Sequence, residues 1–217
     1  VSALEAGKHV FVEKPLALKL DEINEIDKTF QKVNKERSDP LRLMVGFNRR
    51  FAPHIVKMKS LLENKQEPKS IVITVNAGAI HADHWTQDSE IGGGRIVGEG
   101  CHFIDLMRFL VGHEITGHNA MMIGNVPGVE VREDKVSITL SFSDGSFGTI
   151  HYLANGGKAF QKERIEIFCG NAVLQMNNYR VLKGFGWPCF KKMKLFKQDK
   201  GQEACVKAFI NSISDGK

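Results

Sequence analysis

His9-Val10-Phe11-Val12-Glu13-Lys14-Pro15-Leu16 has the pattern of a strand that ends in charge. Val10, Phe11 and Val12 form an unbroken apolar run of β-branched and aromatic residues, which suits a short strand covered on both faces. Pro15 cannot donate to a sheet ladder, and it pushes Lys14 into an extended conformation. Glu13 and Lys14 therefore stand at the carboxyl end of the strand, the place where open α/β sheets bind their ligands.

Before this stretch, Ser2 to Gly7 resembles the last turns of a helix stopped by a glycine. A chain that opens on Val1 inside a helix is expected to be a piece of a longer protein. After the stretch, Ile23, Ile26, Phe30 and Val33 recur at three- and four-residue spacing, which predicts a helix over 18–33 with Asp21 as its cap. Asn34 to Pro40 is a polar loop, and Leu41 to Phe47 is a second short apolar strand. Strand, helix, strand is a parallel crossover unit, the shape of the last third of a dinucleotide-binding domain. The phosphate grip of such a domain, Gly-x-Gly-x-x-Gly on the first strand–helix unit, does not occur here. Gly92-Gly93-Gly94 follows polar Asp88-Ser89-Glu90 and is a weak phosphate cradle.

Composition narrows the class. With 217 residues, 42% hydrophobic and 25% charged, the chain has the balance of a globular protein and no run of membrane-spanning length. The net charge of +5 could suit nucleic acid, but the densest basic part, Lys183 to Lys200, carries no zinc-finger or RNA-recognition signature. That stretch is expected to be a solvated, loop-rich face, with neither nucleic acid nor membrane as partner. Cys101, Cys169, Cys189 and Cys205 have no paired spacing and no secretory signal beside them, so reduced thiols and a cytoplasmic location are expected.

Further along, Pro53 suits the first turn of a helix whose inner face is Ile55, Met58, Lys59 and Leu62. Arg49 or Arg50, just before it, could bind an anionic or polyhydroxy substrate through a planar fork of donors, or tie two domains together by an ion pair. Lys69 to Ala79 alternates as a half-buried strand around Ile71, Ile73 and Val75. His81, Asp83 and His84 have no further ligand spaced to complete a metal site, so a substrate-pocket loop is expected there, with Trp85 as a sugar-stacking surface. A helix opens near Gly100 and stops at Gly112. Val136 to Phe142, Ser146 to Leu153, Ile165 to Cys169 and Ala172 to Met176 alternate as strands, joined by turns at Asp144-Gly145 and Gly170-Asn171. A closing helix spans 202–213.

Ala6-Gly7-Lys8-His9-Val10 with Glu13-Lys14-Pro15, and Gly92-Gly93-Gly94 with Gly98-Glu99-Gly100-Cys101-His102 and Asp105, resemble two signatures of the Gfo/Idh/MocA family. This is the glucose-fructose oxidoreductase and inositol dehydrogenase group. The resemblance implies an α+β fold, with the end of a Rossmann-type unit over 1–47 and an open antiparallel sheet with helices on one face over 48–217. It implies NAD or NADP as cofactor, with Glu13, Lys14 and Pro15 at the cofactor end. It also implies a sugar, cyclitol or related polyol oxidised at a secondary hydroxyl. Lys14 and His102 would act on that hydroxyl, and Arg50, Trp85 and Asp105 would bind the substrate. Where the family carries a catalytic aspartate this chain has Gly98. Glu99 could replace it as a third catalytic group, although adjacent helical residues point about 100° apart. Family members pair through the sheet, so a homo-oligomer is expected. Without the phosphate grip this chain alone is expected to be inactive. The alternatives are a non-catalytic dimerisation or substrate-presenting module, and a relative that uses its nicotinamide only transiently to cleave glycosides.

Overall fold

The structure, a computed structural model, describes residues 1–214. The predicted stop at Asp215-Gly216-Lys217 lies outside the described residues. A short helix α1 (Ser2–Glu5) is followed by Gly7 in the left-handed region, and then by β1 (Val10–Val12). Helix α2 (Leu20–Asn34) leads to β2 (Leu43–Val45), which pairs parallel with β1. This is the expected crossover unit, with two differences. The residues of β1 are half-buried rather than buried, because a sheet of two strands leaves each strand an unpaired edge. The helix starts two residues late, and Asp21 is not its cap. Lys19 stands at that position, and the Glu22 carboxylate accepts from the backbone N–H groups of Leu18 and Lys19.

A tight 3-10 turn, Asn48–Phe51, leaves β2 and delivers the chain to α3 (Pro53–Leu62) with proline in its first turn. Strand β3 (Ser70–Asn76) then enters the main sheet. A loop brings the chain to a single π-helical turn, Ile96–Gly100, which runs into α4 (Cys101–Val111). Gly112 ends α4 in the left-handed conformation a helix stop requires. The rest is β4 (Ile115–Met122), β5 (Lys135–Phe142), β6 (Phe147–Leu153), β7 (Glu163–Cys169), β8 (Ala172–Asn177), β9 (Val181–Phe185), β10 (Lys192–Lys194) and the closing α5 (Gln202–Ser214).

The main sheet has the order β10-β9-β8-β7-β3-β6-β5-β4. Every neighbouring pair is antiparallel except β3 and β6. Its alternation is strict: Ile71, Ile73 and Val75 of β3 and Ile165 and Ile167 of β7 point inward and are almost wholly buried. Helices α3 and α4 cover that inner face with Ile55, Met58, Leu62, Phe103, Leu106 and Leu110. Each such side chain contributes about 1.5–3 kcal/mol by leaving water, which makes this face the stabilising core. The opposite face is open. Thr139 and Thr149 hydrogen-bond across it at 3.0 Å, and Ser137 and His151 at 2.9 Å. One row is apolar: by register Phe147 faces Ser70, Ser70 faces Phe168, Phe168 faces Val173, and Val173 faces Phe185. All three phenylalanines are about half exposed.

Strands β9 and β10 replace the loop-rich face expected for the basic stretch. Lysines on an edge hairpin keep its open ladder in water, and Lys200 turns inward to an ion pair. Helix α5 returns to the small sheet, with the Phe209 ring 5.6 Å from that of Phe11 and the Ser212 carbonyl accepting from Arg42.

Candidate active site

Between the end of β1, the 3-10 turn and the π-helical turn lies a cleft of about 500 Å³. Its lining includes the polar side chains of Lys14, Arg49, Arg95, Glu99 and His102 and the apolar ones of Leu18, Ile80, Trp85 and Ile91. Lys14 and His102, 88 positions apart in sequence, thus face one hollow. Lys14 Nζ donates to the Gly98 carbonyl oxygen at 2.6 Å, which fixes the amino group at the cleft floor.

The glycine triplet has a steric purpose. A Cβ on Gly92 would stand 2.5 Å from the Trp85 carbonyl, and one on Gly93, whose φ is +71°, would stand 2.7 Å from a Leu18 methyl. Glycine lets the loop carrying Trp85 close onto the segment after Pro15. The exposed pair Lys19–Glu90 spans the same seam at 2.9 Å. His84 Nδ1 accepts from the backbone N–H of Thr86 and so caps the short turn that presents Trp85.

His102 is buried at the start of α4, its ring edge-on to Phe47 at 6.1 Å. Burial, and then the charges of Arg49, Lys14 and Lys200, push its pKa down to about 3, against a smaller opposing effect of Glu99. It is therefore an uncharged imidazole at neutral pH. Its buried Nδ1 has no hydrogen-bond partner among the described residues.

Glu99 does line the cleft, but its oxygens are occupied. Oε2 accepts from the Tyr152 hydroxyl at 2.5 Å and from Arg95 at 3.0 Å, and Oε1 lies 3.2 Å from Lys162 Nζ. Burial would raise its pKa, yet these partners hold it at about 2. Burial and the same carboxylate drive the Tyr152 pKa up. Glu99 is a fixed anion rather than an acid poised to give up a proton. The backbone of Gly98, not a neighbouring carboxylate, meets Lys14.

Arg50 and Asp105, expected to bind substrate, are elsewhere. Arg50 Nε donates to Asp105 Oδ2 at 2.7 Å and Nη2 donates to Oδ1, with the guanidinium 5.5 Å from the Phe109 ring centre. They line a separate hollow beside β2. The pair ties the 3-10 turn to α4, an ion pair within the 48–217 part rather than between two domains. Arg49 ties the same turn to β7: Nε and Nη2 donate to the two Glu163 oxygens at 3.0 Å each. Tyr152, Lys162, Glu163 and Lys200 were not legible as site residues, because they meet the site only after the sheet forms, and Arg95 was missed although it stands four residues before Glu99.

Glu13 borders a second hollow behind His102, with Gly46, Asn48, Arg49, Lys200 and Gln202. The orphaned imidazole nitrogen and the carboxylate, amide and amino groups around it fit the nicotinamide end of a dinucleotide. The described residues contain no strand-ending glycine turn to hold its phosphates.

Residues 56–175 match the model of the GFO/IDH/MocA C-terminal domain. The chain belongs to the Gfo/Idh/MocA family. Residues 1–38 match the family's NAD-binding Rossmann-fold model. The uncharacterized oxidoreductase YrbE of Bacillus subtilis is 31% identical over 76% of this chain and 47% of its own length. Inositol 2-dehydrogenase of Rhizobium meliloti is 27% identical over 97% of this chain and 64% of its own. The chain thus spans about half to two thirds of these Gfo/Idh/MocA relatives. An oxidoreductase domain protein from Kribbella flavida shares the fold with a TM-score of 0.79 at 21% identity, covering 100% of this chain and 68% of that one. No helix among the described residues is long and apolar enough to cross a membrane.

The buried groups set an acid sensitivity. The folded-state pKa of His102, about 3, lies below the ordinary 6.5, so the unfolded chain binds the extra proton and stability falls as pH drops from about 6.5 towards 3. Glu99 adds stability that is present above the ordinary 4.5 and is lost as pH falls through about 2. Urea unfolding between pH 7 and 4 should show the chain losing more stability than its His102→Gln variant. Parallel losses would contradict this placement of the histidine.

Proposed function

We propose that this chain carries the substrate side and the nicotinamide end of an NAD- or NADP-dependent dehydrogenase that oxidises a secondary hydroxyl of a sugar, cyclitol or similar polyol. The observation that carries the reading is one cleft shared by a fixed lysine amino group and an uncharged, partly orphaned imidazole. The apolar lining residues Leu18, Ile80, Trp85 and Ile91 suit the ring face of a sugar or cyclitol, and the polar ones suit its hydroxyls. The inositol activity named for the Rhizobium meliloti relative agrees with that class.

Glu13, Lys14 and Pro15 would hold the nicotinamide end. A nicotinamide held there would supply hydride acceptance for oxidation of the alcohol to a ketone. The chain's own residues manage the proton. Lys14, anchored on the Gly98 carbonyl, binds the reacting oxygen and stabilises the charge that builds there. His102 lines the same cleft with its imidazole uncharged, the form that can take the hydroxyl proton. Glu99, held by Tyr152, Arg95 and Lys162, balances the cationic rim without giving up a proton. Arg50 and Asp105 keep α4 in place beneath His102.

A second copy covering the open sheet face is part of the same proposal. The row Phe147, Phe168, Val173 and Phe185 takes one apolar residue from each of four strands, β6, β7, β8 and β9, interrupted only by Ser70 of β3, and its phenylalanines are about half exposed. The non-catalytic reading, a dimerisation or substrate-presenting module, would keep this face and need no cleft chemistry.

In the full-length protein, Lys14→Ala and His102→Ala should each lower kcat with an inositol or sugar substrate by about 10²–10⁴-fold. Turnover near wild type in both would favour the non-catalytic reading. Light scattering should find the unaltered protein oligomeric and Phe147→Lys/Phe168→Lys dissociated. An unchanged oligomer in the double variant would place the interface elsewhere.

A further inference from the structure

Ile80, Trp85 and Ile91 reach the cleft from one loop, residues 77–93, whose regular structure is the short turn Trp85–Gln87. A loop of that length keeps one shape only where it is tied down. Its ends are closed on each other by the buried Arg95, whose Nη1 donates to the Gly78 carbonyl at 2.6 Å. On its outer side Lys19 and Glu90 pair in the open, with 63% and 72% of their side chains exposed, and a pair so solvated contributes little. The middle is held from behind. Gln87, in the same turn as Trp85, uses both amide hydrogens: Nε2 donates to the Ile80 carbonyl at 3.4 Å and to Asp134 Oδ2 at 3.3 Å. Asp134, almost wholly buried just before β5, is itself fixed. Lys135 Nζ donates to its Oδ1 at 2.6 Å, and Arg95 Nη1 stands 3.9 Å from its Oδ2. Gln87 and Asp134 both stand outside the set of residues that line the cleft.

We propose that Gln87 and Asp134 are positioning residues for substrate binding: their hydrogen bond holds the loop so that Ile80 and Trp85 form a preset surface for the ring face of a sugar or cyclitol. The inference rests on the reading of Trp85 as a substrate surface. Gln87 joins the two side chains of that surface directly, one through its carbonyl and the other through the shared turn, and anchors both to a carboxylate that cannot shift. A surface fixed in advance binds the ring without first having to be ordered. Lys14 and His102 stand on other elements, after β1 and on α4. Loss of the tie therefore weakens binding and leaves the chemical step in place, which raises KM with kcat little changed.

Trp85 and Trp187 are the two tryptophans of this chain, so 5-fluorotryptophan labelling gives each its own fluorine resonance. Trp187, whose indole donates to the Val173 carbonyl at 3.1 Å, reports on the fold. Gln87→Leu should shift and narrow the Trp85 resonance and leave that of Trp187 in place. Gln87→Lys, which offers Asp134 an ammonium donor, should keep the Trp85 resonance near its original position, and adding Asp134→Asn should undo that rescue. In the full-length protein Gln87→Leu should raise KM for the inositol or sugar it oxidises about tenfold, and Gln87→Lys should restore most of the loss. A Trp85 resonance unmoved by Gln87→Leu, a rescue that survives Asp134→Asn, or a kcat that falls while KM holds overturns the proposal. A moved Trp85 resonance with KM unchanged overturns Trp85 as a substrate surface and leaves the tie between Gln87 and Asp134 standing.

Discussion

Glu163 is a carboxylate with no exposure to water, and everything around the site follows from what neutralises it. Arg49 and Lys200 do so from two segments far apart in sequence, so burying one side chain joins the turn after β2, the strand β7 and the approach to α5. Removing a single partner from such a set costs about 3–5 kcal/mol, because a buried charge is left uncompensated. The junction is also sterically tight. Gly201 takes a φ of +81°, and a Cβ there would stand 2.5 Å from the Asn48 carbonyl and the Ala52 amide. The small parallel sheet and the large one are held at this point by charge and by contact together.

The cleft inherits its electrostatics from that junction. Lys14, Arg49 and Arg95 line it, and Glu99 is the carboxylate among its lining residues. Glu99 is saturated by its own donors, so the cleft remains short of negative charge. An imidazole buried beside these cations stays uncharged. That is the state in which it can accept a proton, and it is also why acid weakens the fold. Stability and chemistry thus draw on the same few side chains.

Much of this was legible in the sequence. The strand ending in Glu13-Lys14-Pro15, the crossover to β2, the helix after the glycine triplet and the alternating strands β5 to β8 all came from local pattern, within a few residues of the observed ends. Strand β4 was not, because Ile115 to Met122 lies at the sheet edge and is exposed on both faces, so burial imposes no alternation on it. The parallel pairing of β3 with β6 was not legible either, since nothing within β3 says which later strands will flank it. The site divided along the same line. Lys14 and His102 stand in recognisable phrases, whereas Arg50 and Asp105 proved to satisfy each other, a pairing between residues 55 apart that only the packing of α4 decides. The oxygens of Glu99 were claimed by Arg95, Tyr152 and Lys162, groups from the same helical approach, from β6 and from the loop before β7.

The central claim is that one secondary hydroxyl is held between Lys14 and His102. A crystal structure of the full-length protein with NADH and a bound inositol or sugar tests it most directly. Expected is a substrate ring against Trp85 and Ile80 with one hydroxyl oxygen within about 3.2 Å of both Lys14 Nζ and a His102 ring nitrogen. A substrate lodged in the hollow beside Arg50 and Asp105, or bound with those two side chains facing away from it, would contradict the claim.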